Sequence, residues 1–329
     1  MAGLRMDSAF PRAASSRRPA GLVLALGLGF SVCAAAQPPD PAVADDGATP
    51  PIAVSAPEPR YVAPTQYDRI GRIWVPAMIN GQGPFRLVFD TGASQSAVNS
   101  GVASALGIDP ASVDSVLVSG ATGSRVVSRI PIRSIVVGDV DLRDRQLPVV
   151  ADALGGADGV MGAEGLLDKR IRVDFGQDRI SVRISHREQA PAGFLVVPID
   201  VRDGLLFVDG ATVGGIRARV VIDTGAQGTI ANEALRRAIR RRIRPGDAGR
   251  TLITGVTADV QNGDRMIIPE MHLGAMRISP MEVAVGDLYI FQRWNLGHAP
   301  AVIVGMDVLG LLDTLIIDYA RAEVQVRMR

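Results

Sequence analysis

The sequence predicts a mainly β chain built as two tandem lobes with a few short helices, and three observations point there. Hydrophobic residues make up 47% of the chain but aromatics only 4%, so the core must come from Val, Ile, Leu and Ala, which suits packed sheet. The apolar runs are short and broken by Gly, Pro and Asp, as strands and turns require. Finally, one pattern occurs twice: Leu87-Val88-Phe89-Asp90-Thr91-Gly92-Ala93 and Val220-Val221-Ile222-Asp223-Thr224-Gly225-Ala226.

Residues 1–36 read as an export signal. Arg5, Arg12, Arg17 and Arg18 precede an apolar run from Ala20 to Val32, and Ala34-Ala35-Ala36 offers small residues for cleavage near Ala36. The expected location is therefore the periplasm or outside the cell, with membrane attachment only if the segment is retained as an anchor. Cys33, the sole cysteine, lies inside this signal, so the mature chain would have no disulfide, no Cys-ligated metal and no Cys nucleophile. Removal of residues 1–36 takes the formal charge from +1 to −2, which gives no basic excess to suggest a nucleic-acid partner. Residues 37–66 are rich in Pro and Ala and read as a disordered linker; a bound propeptide is the sharper alternative.

The first lobe is expected over 67–190. Residues 72–79 suggest a strand, Asn80-Gly81 a hairpin turn and residues 85–89 the next strand, which carries Asp90 at its end. Residues 116–118 and 126–132 flank Gly120-Ala121-Thr122-Gly123, a glycine-tipped hairpin. Residues 135–137 and 147–150 continue the sheet. Val160-Met161-Gly162 leads toward a predicted short helix over residues 164–170, and residues 171–184 close with a hairpin.

The second lobe, expected over 191–329, repeats the order. Residues 205–208 and 211–213 read as strands before Gly214-Gly215, and residues 220–222 carry Asp223. Gly255-Val256-Thr257-Ala258 stands in for the first glycine tip and Ile303-Val304-Gly305 for Val160-Met161-Gly162. Asp318-Tyr319 answers Asp174-Phe175 in the last hairpin. Landmarks recurring in one order read as an internal duplication, which offers a pseudo-two-fold axis within a single chain.

A carboxylate directly after an apolar strand is drawn toward the interior, where charge alone is unfavourable. The following Gly allows a sharp turn whose N–H groups point at the carboxylate, and the Thr hydroxyl can bond across to the other lobe. If the two loops meet, Asp90 and Asp223 cannot both ionise readily: one stays protonated and the other acts as a base. The bland reading is that each Asp only caps a turn.

With Val160-Met161-Gly162 and Ile303-Val304-Gly305-Met306-Asp307-Val308-Leu309 downstream, the twin tetrads resemble the aspartic peptidases of the pepsin and retroviral-protease superfamily, over everything from about residue 67 onward. The shared-proton dyad of such enzymes is a known pattern. The resemblance implies a bilobal acid-protease fold of two β-barrel-like lobes and an aspartic endopeptidase acting on peptide or protein substrates. It makes Asp90 and Asp223 catalytic, Thr91 and Thr224 interlobe hydroxyls, Gly92 and Gly225 turn glycines, and places Gly162 and Gly305 beside the catalytic loops. It also implies substrate-covering flaps, for which Gly120, Ala121, Thr122 and Gly123 are the candidates in one lobe and Gly255, Val256 and Thr257 in the other. Ala93 and Ala226 follow the retroviral form, whereas pepsin-like enzymes have a hydroxyl residue there; the expected optimum is mildly acidic. Neither flap candidate has a Tyr, and Ser94 in one lobe faces Gln227 in the other.

Elsewhere, residues 232–244 read as a helix with an N-cap Asn232 and a face of Arg236, Arg237, Arg240, Arg241, Arg242 and Arg244, either a solvated face or a contact for an acidic surface such as lipid headgroups. Tyr289, Phe291 and Trp294 fill core or wall an apolar subsite. His186, His272 and His298 lack metal-ligand spacing, so neither metal nor cofactor is expected. The rival readings are a peptide-binding module with little turnover, a homodimer in which each tetrad meets its copy, and a non-proteolytic scaffold.

Overall fold

The computed structural model describes residues 72–152, 155–177, 179–208, 210–242 and 249–329, together with the backbone of Leu22–Val23 and Ala53–Ser55. Leu22–Val23 runs parallel to Val118–Ser119, and Ala53–Ser55 pairs antiparallel with 179–181. The remainder of 1–71, on which the export-signal and linker expectations fall, lies outside the described residues.

The first half begins with the hairpin Trp74–Ile79 and Gln82–Phe89. Its turn is Asn80-Gly81, both at positive φ (52° and 77°), which Asn and Gly tolerate better than other residues. The Asn80 side chain then accepts the N–H groups of Arg133 and Ser134, fastening the turn to the long strand Ser124–Val137. That strand pairs with Ser115–Ser119 on one side of the glycine tip and with Val140–Val150 further along. Gly159–Met161 lies parallel to Gln82–Phe89 and antiparallel to Ala97–Asn99.

The second half reproduces these neighbours. Arg219–Ile222 runs parallel to Ala301–Val304, which is antiparallel to Ile230–Ala231, and Arg250–Thr254 pairs with Val260–Ile268 around the second tip. In both halves an Asn nine residues after the acid caps the next helix: Asn99 Oδ1 accepts from Val102 N (3.0 Å) and Asn232 Oδ1 from Leu235 N (2.9 Å).

The halves are joined by more than a linker. Lys169–Asp174 pairs with Arg179–Ile184 on one side and with Leu312–Asp318 on the other; Leu312–Asp318 pairs with Glu323–Met328, which pairs with Leu195–Arg202. Strands of both halves thus form one platform. Inside it Arg170 and Asp318 are buried and meet at 2.6 Å, and Arg170 also donates to Gln325. A burial this complete needs that partner, since an unpaired charge there would be costly.

Two expectations are corrected. Residues 164–170 do not form a helix: Gly165 sits at φ 76°, which breaks a helical run, and Lys169 already begins a strand. A helix does follow the matching site in the second half, Met306–Leu309. The Arg-rich helix is shorter than expected, Glu233–Ile239. It buries Ala234, Leu235 and Ile239 and leaves Arg237, Arg240, Arg241 and Arg242 exposed; 243–248 lie outside the described residues. Among the described residues no helix is long and apolar enough to cross a membrane.

One large core runs through both halves, and two smaller apolar clusters lie apart from it. Strand alternation explains the split. Leu87 and Phe89 point into the large core, while Val88 points the other way, with Asp90.

Candidate active site

The apolar strands Gln82–Phe89 and Arg219–Ile222 end side by side, and the tetrads that follow them interlock. Thr91 Oγ1 donates to Ile222 O (2.8 Å), and Thr224 Oγ1 donates to Phe89 O (2.8 Å). Each hydroxyl also accepts the other Thr's N–H, at 3.1 and 3.0 Å. All four bonds cross between halves, and both Thr are fully buried. The interlobe role expected of these hydroxyls is the one they occupy.

This grip brings Asp90 and Asp223 together, 0% and 3% exposed. Gly92 N donates to Asp90 Oδ1 (2.8 Å); Gly225 N and Ala226 N donate to Asp223 Oδ1 (2.9 and 3.1 Å). The glycines also face the opposite acid. A Cβ on Gly92 would lie 2.6 Å from Asp223 Oδ1, and one on Gly225 2.5 Å from Asp90 Oδ1. No side chain fits either place.

Burial pushes the Asp90 carboxyl well above the usual carboxylate range, and the facing Asp223 charge adds to it. Burial also raises Asp223, to about 6, against the hydrogen bonds it receives from Asp90 and from the loop N–H groups. The pair therefore holds one proton over a range where isolated carboxylates are ionised, and it titrates as a unit.

A second layer steadies each loop. Six residues after Asp90, Ser96 N donates to Glu164 Oε1 (3.0 Å) and Ser96 Oγ accepts Gly162 N (3.2 Å). Six residues after Asp223, Thr229 donates through N and Oγ1 to Asp307 (2.8 and 2.7 Å) and accepts Gly305 N (3.2 Å). Burial raises both Glu164 and Asp307 above their ordinary values. Gly162 and Gly305 lie beside the loops as expected: a Cβ on either would strike the backbone of Gln95 or Gly228. Glu164 and Asp307 were missed by sequence reasoning, although their shared offset of two from Gly162 and Gly305 was there to read.

Arg72 was missed too. The ladder pairs Trp74 with Val88, and Phe89 N donates to Ile73 O (2.8 Å), so its continuation sets Arg72 opposite Asp90. The same continuation in the second half sets Leu205 opposite Asp223. The half-buried Arg72 charge opposes the rise at Asp90, and both acids hold up the Arg72 cation against burial. Tyr319, buried on the platform, is the other titratable group close to Asp90; burial and then that charge push its phenol upward, so it stays neutral.

The candidate flap residues of the two halves meet each other. Thr122 Oγ1 donates to Asp259 O (2.8 Å), and Arg125 reaches Asp259 at 3.4 Å. The approach of Gly255 to Thr122 leaves no room for a Cβ. Gly120 and Thr257 are buried, Gly123 half-buried. Each tip packs on the other half: Ala121 joins the second-half cluster, and Val256 the first-half one. Ile290 N, from the helix Tyr289–Arg293, also donates to Ala121 O (3.2 Å). Phe291 is buried in that cluster, with Trp294 against it. Among the described residues no group of His, Cys, Asp and Glu is placed to hold a metal ion.

Comparison with curated proteins found no match. A family model described as aspartyl protease matches residues 75–165 and, a second time, residues 210–308. Each match contains one Asp-Thr-Gly-Ala tetrad and its hairpin tip, and together they span more than half of the chain, which therefore belongs to the aspartyl protease family.

Proposed function

We propose that the chain is an endopeptidase that adds water directly to a peptide bond, with Asp90 and Asp223 as its general base and acid. The observation that carries this reading is the pair itself: two buried carboxyl groups from opposite halves, each held by its own loop N–H groups, with burial raising both. The ionised member takes a proton from a water between them as its oxygen attacks the carbonyl carbon. The protonated member donates to the carbonyl oxygen, giving a tetrahedral diol. The acid that took the water's proton then gives it to the amide nitrogen while the other carboxylate takes a proton from a diol hydroxyl; the C–N bond breaks, a free acid and amine leave, and the pair again holds one proton. No covalent intermediate forms, and neither metal nor cofactor enters any step.

The remaining assignments belong to the same proposal. Thr91, Gly92, Thr224 and Gly225 position the acids, and the two hairpin tips cover the substrate. The partner is a peptide or protein, not nucleic acid. One chain supplies both halves of the site, and export under the signal in 1–36 would place the reaction outside the cytoplasm.

The test is Asp90→Asn and Asp223→Asn made singly in the full chain and assayed on a mixed peptide library near pH 5. Each is expected to lose roughly a hundredfold or more in cleavage rate. Full activity in either variant would overturn the proposal.

A further inference from the structure

The two apolar clusters beside the acids occupy equivalent places, but residues at several paired positions differ in size, mostly larger in the second half; Trp74 against Phe207 is the reverse. Val88 seeds the first and Val221 the second, each sharing a sheet face with its acid. Seven residues after Asp90 stands Ala97, paired with Val160; seven after Asp223 stands Ile230, paired with Ile303. Two residues before the hairpin-tip glycines, Val118 on one side answers Ile253 on the other. At each of these three positions the second half has the larger side chain.

Two further differences add to this. Residues 286–300 form a longer connection than the matching 151–158, and it contributes Leu288 and Phe291 to the second cluster. The tip seated over the first cluster is Val256, whereas the smaller Ala121 sits over the second. A peptide that displaces both tips therefore vacates more room beside Asp90 than beside Asp223.

We infer that the two clusters receive the side chains on either side of the cleaved bond, and that they sort substrates by size: a large apolar residue beside Asp90 and a small one beside Asp223. This rests on the endopeptidase reading above. Consecutive side chains of an extended peptide point opposite ways, so a bond centred on the acids sends one neighbour toward each cluster. Ala97, Ile230 and Phe291 are then specificity-determining residues. A difference of a methylene in an apolar pocket discriminates about 10- to 200-fold, and here several add up on one side.

The experiment compares peptides carrying large–small, small–large, large–large and small–small apolar pairs at the cleaved bond, together with uncleavable statine analogues of the same pairs. The intact protein is expected to cleave, and to bind as analogue, one mixed order at least tenfold better than large–large. Ala97→Ile should lower at least tenfold the advantage of that mixed order over small–small, and Ile230→Ala should admit the large–large pair. Equal handling of all four pairs, or unchanged preference in both variants, overturns the inference. A protein that cleaves nothing yet binds one mixed analogue tenfold better keeps the inference and overturns the catalytic reading instead. One that cleaves nothing and binds the four analogues equally loses both.

Discussion

Gly225 packs directly against the carboxyl group of Asp90, the acid of the other half, and a methyl group on its α-carbon would come within 2.5 Å of Asp90 Oδ1. Gly92 stands in the same relation to Asp223. Gly225→Ala is therefore expected to force the acids apart and to lower kcat/KM at least tenfold, as displacements near 1 Å do when reacting groups must be aligned. Gly92→Ala should behave alike. Kinetics on a fixed peptide would decide it, with the circular dichroism spectrum confirming that each variant folds.

The paired threonines are predicted to matter for stability before chemistry. Thr91→Val would leave Ile222 O and Thr224 N buried without their partner, at a cost of roughly 2–5 kcal/mol. Thr91→Ser keeps the hydroxyl and should recover most of it. Urea denaturation of the three proteins measures the difference. A Val variant as stable as the parent would show that the cross-lobe bonds contribute nothing net.

Burying Asp223 is destabilising at neutral pH. Asp223 is raised from 3.8 to about 6 in the folded protein, so between those values the native state binds a proton that the unfolded chain has released. Stability must therefore fall as pH rises from about 4 to about 6, by up to roughly 3 kcal/mol from this group. Asp223→Asn is predicted to flatten that fall and to melt higher than the parent at pH 7, with the gap closing toward pH 4. Melting curves across this range test the sign directly.

Arg72 lowers the Asp90 carboxyl it stands opposite, so replacing it with Leu, the residue opposite Asp223 in the second half, is predicted to move the pH–activity profile of the coupled pair to higher pH. Tyr319, the other titratable neighbour, stays neutral throughout this range. Arg72→Lys should keep the profile near that of the parent. A Leu variant with reduced activity but an unmoved profile would assign Arg72 a packing role only.

The acids and the repeated order of landmarks were legible because each is written in local pattern: a carboxylate after an apolar strand, and one Asp-Thr-Gly-Ala tetrad appearing twice. What was not legible depends on partners distant in the chain. Arg72 looks like any strand-leading Arg until the register sets it opposite Asp90, and Glu164 reads as a helix former until Ser96 N claims its carboxylate. The glycine tips were found as hairpins, but that Ala121 packs on one half and Val256 on the other follows from how the halves face each other. Residues 164–170 carry helix-favouring side chains, and the positive φ of Gly165 overrides them.

The platform in which Lys169–Asp174 lies against Leu312–Asp318 has a consequence for control. A site assembled from two separate subunits comes apart on dilution, and its output then depends on how much protein is present. Here the two acid-bearing halves share one continuous set of strands in one polypeptide, so on the endopeptidase reading proposed above the expected activity per molecule does not vary with concentration. On that reading dissociation offers no off switch, and entry past Ala121 and Val256 is the step at which restraint is expected.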